Sequence, residues 1–224
     1  YSGSLILRKN SQLILWGDHN LDALPKTPSG IMMHESSCII LGTAEEVNFG
    51  PIELIENASV HGGTSTNGHG GIRKFNGEIK GGGKFILNGV NRNQFRFETA
   101  NTFTGGLMAH STQNEPFYLV AAADSSFGTG DVNLKENSSL IIEANLNDTI
   151  ANTSTLSLEG VGSLRINGGG ADPNKLYKLL LQSDETVAGF FIDGVDQGEG
   201  LFSGETHPAI TGPGKLTVKR SDDN

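Results

Sequence analysis

Val132-Asn133-Leu134-Lys135-Glu136-Asn137-Ser138-Ser139-Leu140-Ile141-Ile142 contains two short apolar runs separated by a polar turn. The first run alternates apolar and polar residues, as a β-strand with one buried face does. The polar residues between the runs include Asn, which adopts the positive φ of a tight turn at low cost. This stretch therefore predicts a unit of strand, tight polar turn and strand.

The same turn-plus-strand phrase recurs along the chain. Copies begin at Asn10, Asn57, Gly82, Asn137, Gly160 and Gly212. The clearest strands lie at 4–7, 12–16, 30–33, 52–55, 84–87, 95–97, 117–120, 132–134, 140–142, 156–158, 164–166 and 216–218. Such recurrence favours a β-solenoid, in which each coil buries its apolar face against the next one. An antiparallel sandwich also uses short alternating strands and is the alternative.

The composition is that of a folded all-β protein. Of 224 residues, 31 are Gly and 7 are Pro. This Gly share is about twice the average, which disfavours a helical bundle, and the Gly-X-Y period of collagen is missing. The formal net charge is −9, so we expect no nucleic-acid partner. We also expect no direct membrane insertion, because no apolar run reaches the roughly 18 residues that span a bilayer.

We expect a single domain, since all-β folds commonly use a chain of this length as one unit. Pro and Gly mark two stretches that should project as loops. The expected parts of this domain, residues 1–224, are less regular coils over 1–80 with loops at 21–30 and 62–71, repeat-like coils over 81–187, and a closing segment over 188–224.

Asn101-Thr102-Phe103-Thr104-Gly105-Gly106-Leu107 resembles the aromatic-Thr-Gly-Gly phrase of the autotransporter-associated β-strand repeat. In that family a Gly-rich strand precedes the phrase, and a small-residue strand with a Gly turn follows it. Residues 81–87 and 126–134 are similar to these two parts, and 190–218 is similar to the family's closing segment. The resemblance implies a right-handed parallel β-helix in an extracellular or cell-surface protein.

Asp193, Asp196 and Glu199 stand three residues apart in a Gly-rich turn. Carboxylate oxygens are the ligands that calcium prefers, and this spacing lets three of them converge on one ion. The sequence therefore offers these residues as a calcium site, and calcium is the one cofactor that it suggests. The alternative is that they are solvated turn residues.

The sequence predicts no catalytic residues. Gly68-His69-Gly70, followed by Arg73-Lys74, is superficially similar to elements of pectin-cleaving hydrolases. Those enzymes also need a pair of acidic residues, one to protonate the leaving oxygen and one to activate water. No such pair precedes His69. A carbohydrate-active β-helix enzyme, a polysaccharide lyase or hydrolase, is the alternative function.

The single cysteine and several asparagines of the sequence are further candidates for chemical modification or reactivity. The lone Cys38 lies in an apolar run, so we expect a small buried hydrophobe rather than a reactive thiol. The Asn-X-Ser/Thr pattern of N-glycosylation begins at four positions. These candidate acceptors are Asn57, Asn137, Asn147 and Asn152.

The sequence thus predicts a non-catalytic extracellular structural or adhesive module, a segment of a larger surface or filament protein. The open ends of a solenoid expose unpaired strand edges. We therefore expect neighbouring solenoid segments or a second copy as partners, and a polysaccharide or cell-surface ligand for an adhesive role.

Overall fold

The computed structural model describes residues 4–15, 30–42, 46–62, 71–90, 92–111, 117–135, 137–160 and 178–220. Within these ranges every regular element is a β-strand. The described residues contain no helix that is long and apolar enough to cross a membrane. The loops predicted at 21–30 and 62–71 and the strand predicted at 164–166 lie wholly or almost wholly outside the described residues.

Twenty-three strands occur in the described residues. In chain order they are β1 (Leu5–Leu7), β2 (Gln12–Leu15), β3 (Ile31–Met33), β4 (Cys38–Leu41), β5 (Glu46–Phe49), β6 (Ile52–Leu54), β7 (Ala58–His61), β8 (Ile72–Phe75), β9 (Ile79–Gly81), β10 (Phe85–Gly89), β11 (Gln94–Phe97), β12 (Leu107–Ser111), β13 (Phe117–Ala121), β14 (Val132–Leu134), β15 (Ser138–Ile142), β16 (Thr155–Leu158), β17 (Leu179–Leu181), β18 (Glu185–Val187), β19 (Gly189–Ile192), β20 (Val195–Asp196), β21 (Gly200–Phe202), β22 (Ile210–Thr211) and β23 (Leu216–Val218).

These strands form four sheets. In hydrogen-bonded order, the first is β1-β3-β6-β9, the second β2-β4-β7-β10-β12-β14-β16-β19-β20, the third β22-β17-β15-β13-β11-β8-β5, and the fourth β18-β23-β21. All the strand pairs are parallel except β19 with β20 and β21 with β23. The predicted all-β class is therefore confirmed, and parallel pairing contradicts the antiparallel sandwich.

From β6 to β11 the chain passes through the first, second and third sheets twice in the same order, so β6 pairs with β9, β7 with β10 and β8 with β11. After β9 the first sheet is continued by irregular segments. Backbone N–H groups of Thr102 and Thr104 donate to the carbonyls of Ile79 and Gly81, both at 2.9 Å. Thr129 N–H then donates to Phe103 O at 3.0 Å. The aromatic-Thr-Gly-Gly phrase thus lies in this extension of the first sheet.

Register places like side chains over one another in the interior. Phe49, Phe75 and Phe97 occupy paired positions on β5, β8 and β11. The ring centroids of Phe75 lie 5.1 Å from Phe49 and 4.9 Å from Phe97. One hydrophobic cluster of buried residues includes side chains from Leu7 to Val218. We call the strands that one pass through the sheets contributes a level. Parallel stacking therefore lets the inward apolar side chains of each level pack against those of the next level.

Among the described strands, two contain a buried charged side chain. Arg73 on β8 is paired with Val47 on β5 and with Phe95 on β11, points inward as they do, and is 0% exposed. Burial lowers the pKa of its guanidinium to about 10. Glu185, on β18, is 3% exposed and accepts hydrogen bonds from the backbone N–H and the hydroxyl of Thr149, at 3.0 and 2.5 Å. Their charge alone would have assigned both residues to the solvent face, although both stand at inward positions of the alternation.

Candidate functional site

Chemically reactive side chains gather on the outer face of the second sheet. Pairing of β4 with β7 sets Cys38 beside Ser59. Pairing of β10 with its two neighbours sets Asn88 between His61 and His110. We call His61, Asn88 and His110 the histidine column. Each of its members follows a buried apolar residue on its strand, so alternation turns it to the outer face.

Contacts within this group converge on one nitrogen of His61. Ser59 Oγ lies 3.2 Å from His61 Nε2. Asn88 Nδ2 lies 2.5 Å from the same Nε2. Asn88 is 6% exposed, and its Oδ1 has no hydrogen-bond partner among the residues that the structure describes. The histidine column is therefore closely packed, but one acceptor in it is unsatisfied.

Burial controls the protonation of two groups here. Desolvation by burial lowers the pKa of His61, and the nearby charge of His110 lowers it further. Burial raises the pKa of the Cys38 thiol, against an opposing hydrogen bond from Ser59. Cys38 is 7% exposed, so the expectation of a buried cysteine is confirmed. A thiol with a raised pKa is a poor nucleophile, because the thiolate is the reactive form.

The Ser59–His61–Asn88 group differs from a nucleophile-activating triad. In a triad, one ring nitrogen takes the proton of the nucleophile while a third residue holds the other ring nitrogen. Here both contacts go to Nε2. This geometry gives Ser59 no oriented base, so we assign no covalent step to it.

The predicted calcium residues lie around the hairpin formed by β19 and β20. Asp193 Oδ1 accepts from Gly160 N–H at 2.6 Å. Asp196 accepts from Gly198 N–H at 2.9 Å and also forms an ion pair with Arg220. The bond from Gly198 and the charge of Arg220 lower the pKa of the Asp196 carboxyl. Glu199 Oε1 accepts from the backbone N–H of Arg220 at 2.9 Å.

Arg220 therefore stands where two of these carboxylates meet. Within the described ranges, no group of three or more His, Cys, Asp or Glu side chains is arranged to hold a metal ion. A calcium ion bound by Asp196 and Glu199 would have to displace the guanidinium. Calcium binding at this turn stays a prediction.

The other sequence candidates occupy varied environments. Asn57, Asn147 and Asn152 are exposed, whereas Asn137 is half-buried and has a φ of 55°. Glycosylation of the four sites stays an expectation. Of the hydrolase-like elements, His69 lies outside the described residues and Arg73 points into the core. Lys74 pairs with Glu46 at 3.0 Å, so Arg73 and Lys74 do not share a face.

The N-terminal rung, which we define as β1 and β2, is a second candidate surface. In the part of the chain that the structure describes, each of these strands has a neighbour on one side only. Leu5, Leu13 and Leu15 pack against the core but are only partly buried. An unpaired edge beside partly exposed apolar side chains is a template for another strand.

Sequence reasoning did not single out the histidine column. His61 and Asn88 are 27 residues apart, and no local motif spans that distance. A signal was nonetheless present, because each of the three residues directly follows an inward apolar residue at the end of a recurring strand. Aligning the copies of the repeat by this residue would have grouped them.

Comparisons of the chain with protein-family models, with curated proteins and with solved structures found no match.

Proposed function

We propose that this chain is a right-handed parallel β-helix that serves as a non-catalytic structural or adhesive module of an extracellular or cell-surface protein. The observation that carries the proposal is the residue-by-residue parallel register of the second sheet from β2 to β19. Such a ladder is a stiff scaffold, because each strand between its two ends is held by backbone hydrogen bonds to the strands on both sides. The resemblance of 81–134 to the autotransporter-associated repeat supports the cell-surface setting.

Polar groups in the described residues are used to bind one level to the next. Asn101 is the clearest case, since its Oδ1 accepts from Ile79 N–H at 2.7 Å and its Nδ2 donates to Ser126 O at 2.6 Å. One buried amide therefore bridges three successive levels. On the third sheet, Arg96 pairs with Glu143 at 2.8 Å across the intervening β13. This use of polar side chains favours a scaffold over a catalytic surface.

The two ends of the stack differ in a way that supports assembly. At the C-terminal end, the antiparallel strands β20 and β21 terminate the second and fourth sheets. These two edge strands are only two and three residues long, and very short edge strands oppose the addition of a further strand. The N-terminal rung has no such cap among the described residues. We propose that it pairs with a neighbouring solenoid segment, and in the isolated chain with a second copy.

The geometry of the N-terminal rung gives a selective test. The N–H of Leu5, on β1, donates to the carbonyl of Gly30, just before β3. The N–H of Cys38, on β4, donates to the carbonyl of Ser11, just before β2. Because bonding alternates along a strand, the N–H groups of Ile6 and Ile14 face the open edge. The double variant Ile6→Pro, Ile14→Pro removes these two donors and leaves the bonds to β3 and β4 in place. The matched control, Ile6→Thr with Ile14→Thr, keeps both donors.

Sedimentation velocity over a 100-fold range of concentration measures the self-association. We expect concentration-dependent association of the parent chain and of the Thr control, and association at least tenfold weaker in the Pro variant. A chain that is strictly monomeric at every concentration would overturn the assembly role. Reproducible release of reducing ends or unsaturated products from polysaccharides would overturn the non-catalytic role.

A further inference from the structure

Three side chains that carry lone pairs lie on three adjacent strands of the second sheet. Asn88 is paired directly with His61 on one neighbouring strand and with His110 on the other. Neighbouring strands lie about 4.8 Å apart, so the two imidazoles flank the amide on both sides. Imidazole nitrogens and an amide oxygen all carry lone pairs that can bind a metal ion.

The hydrogen bonding of the histidine column is incomplete. Asn88 Nδ2 donates to His61 Nε2, whereas Asn88 Oδ1 is buried and finds no hydrogen-bond donor within the described part of the chain. A buried acceptor without a partner destabilises the fold, because it has lost its hydrogen bonds to water without replacement. The column would therefore gain from a ligand that accepts lone pairs from both a ring nitrogen and this oxygen.

We propose that His61, Asn88 and His110 bind one first-row divalent transition-metal ion, with Zn²⁺ as the representative. The ion takes the lone pairs of His61 Nε2 and of a ring nitrogen of His110. Rotation of the Asn88 amide about its Cβ–Cγ bond turns Oδ1 to the ion in place of Nδ2. Water completes the coordination.

The donor set explains the class of ion. Two imidazoles with one neutral oxygen suit Zn²⁺, Ni²⁺ or Cu²⁺, whereas Ca²⁺ and Mg²⁺ prefer oxygen ligands throughout. Within the described ranges no third His, Cys, Asp or Glu side chain is grouped with the two imidazoles, and the oxygen ligand of the proposed site is the Asn88 amide paired between them. Ser59 Oγ, 3.2 Å from His61 Nε2, is placed to hydrogen-bond a metal-bound water.

Zn²⁺ titration of chelator-stripped protein by calorimetry at pH 7.5 tests the site, with Co²⁺ absorption as the spectroscopic readout. We expect one ion whose affinity falls at least tenfold in His61→Gln and in His110→Gln. His34→Gln and His207→Gln are matched controls, because these residues lie outside the column, and should bind Zn²⁺ as the parent does. Asn88→Asp should tighten binding at least fivefold, because a carboxylate is a stronger ligand than an amide.

Far-UV circular dichroism and the unfolding midpoint establish that each variant is folded. A gain of affinity in Asn88→Asp cannot come from misfolding, so that variant decides the question if a histidine variant is unstable. The proposal is overturned if the parent takes up no Zn²⁺ at 1 mM. It is equally overturned if uptake is unchanged in both column histidine variants, or if Asn88→Asp binds no more tightly than the parent.

Discussion

At the scale of single residues, the interior contains polar groups whose roles depend on the levels above and below. Thr149 lies between β15 and β16, where no strand is formed. Its backbone N–H and its hydroxyl both donate to the Glu185 carboxylate. The carboxylate thus supplies hydrogen bonds that a backbone carbonyl would supply in a regular sheet. Burial raises its pKa, although the bonds from Thr149 and from Thr186 N–H oppose that shift.

This raised pKa predicts the pH dependence of stability. A carboxyl whose pKa is higher in the folded than in the unfolded chain contributes stability that is complete below the unfolded pKa and is lost as the pH rises through the folded pKa. Between pH 4 and pH 8 we therefore expect the free energy of unfolding of the parent to fall relative to that of Glu185→Gln, which keeps an acceptor oxygen and cannot ionise. Urea titrations at several pH values measure it.

Glu205→Gln is the control for this experiment, since Glu205 is exposed, and its profile should follow that of the parent. A constant difference between Glu185→Gln and the parent at all pH values would show that ionisation of Glu185 does not contribute.

At the scale of the element, glycine sets how closely one turn approaches the next. A Cβ on Gly83 would lie 2.0 Å from the Glu56 carbonyl oxygen, whereas a Cβ on Gly82 would meet no atom within 4 Å. The two residues are adjacent in the turn before β10. Only one of them is therefore required to be glycine by the close packing of levels.

Gly83→Ala and Gly82→Ala form a matched pair. We expect Gly83→Ala to lower the free energy of unfolding by more than about 2 kcal/mol, because backbone must move to admit the methyl group. Gly82→Ala should change it by less than about 0.5 kcal/mol, as an open surface position does. Equilibrium denaturation measures both values, and equal losses would contradict the close approach at Gly83.

At the scale of the whole molecule, stability comes from one hydrophobic cluster that continues from level to level. Phe75 lies near its aromatic centre, with ring centroids 5.1 Å from Phe49, 5.3 Å from Phe85 and 4.9 Å from Phe97. Its side chain is 0% exposed. A cavity there would weaken packing on three strands at once.

Phe75→Ala is expected to cost about 3–5 kcal/mol, the range for truncating a buried aromatic residue. Phe202→Ala, at a partly buried ring near the C-terminal end, should cost less. Thermal unfolding followed by circular dichroism compares the two variants. A midpoint for Phe75→Ala at or above that of Phe202→Ala would contradict a continuous core centred on these rings.

Several elements were predictable because their information is local. The strand predicted at 132–134 is β14 with the same bounds, and 84–87 overlaps β10. Strands such as β8 and β18 were missed, since Arg73 and Glu185 break the apolar alternation at inward positions. Glu185 is accommodated in the interior by hydrogen bonds from Thr149, 36 residues earlier in the chain, and the strand that contains Glu185 carries no record of that partner.

The amino-acid sequence by itself determined that the chain is all-β, where many strands lie and which apolar side chains of those strands face inward, because alternation and turn residues act over a few positions. Only the tertiary structure decided which residues of different levels meet. The intervals between members of the histidine column are 27 and 22 residues, so no fixed period gives the pairing. The register is instead set by backbone hydrogen bonds between levels together with the fit of the core, and both exist only once the strands are stacked.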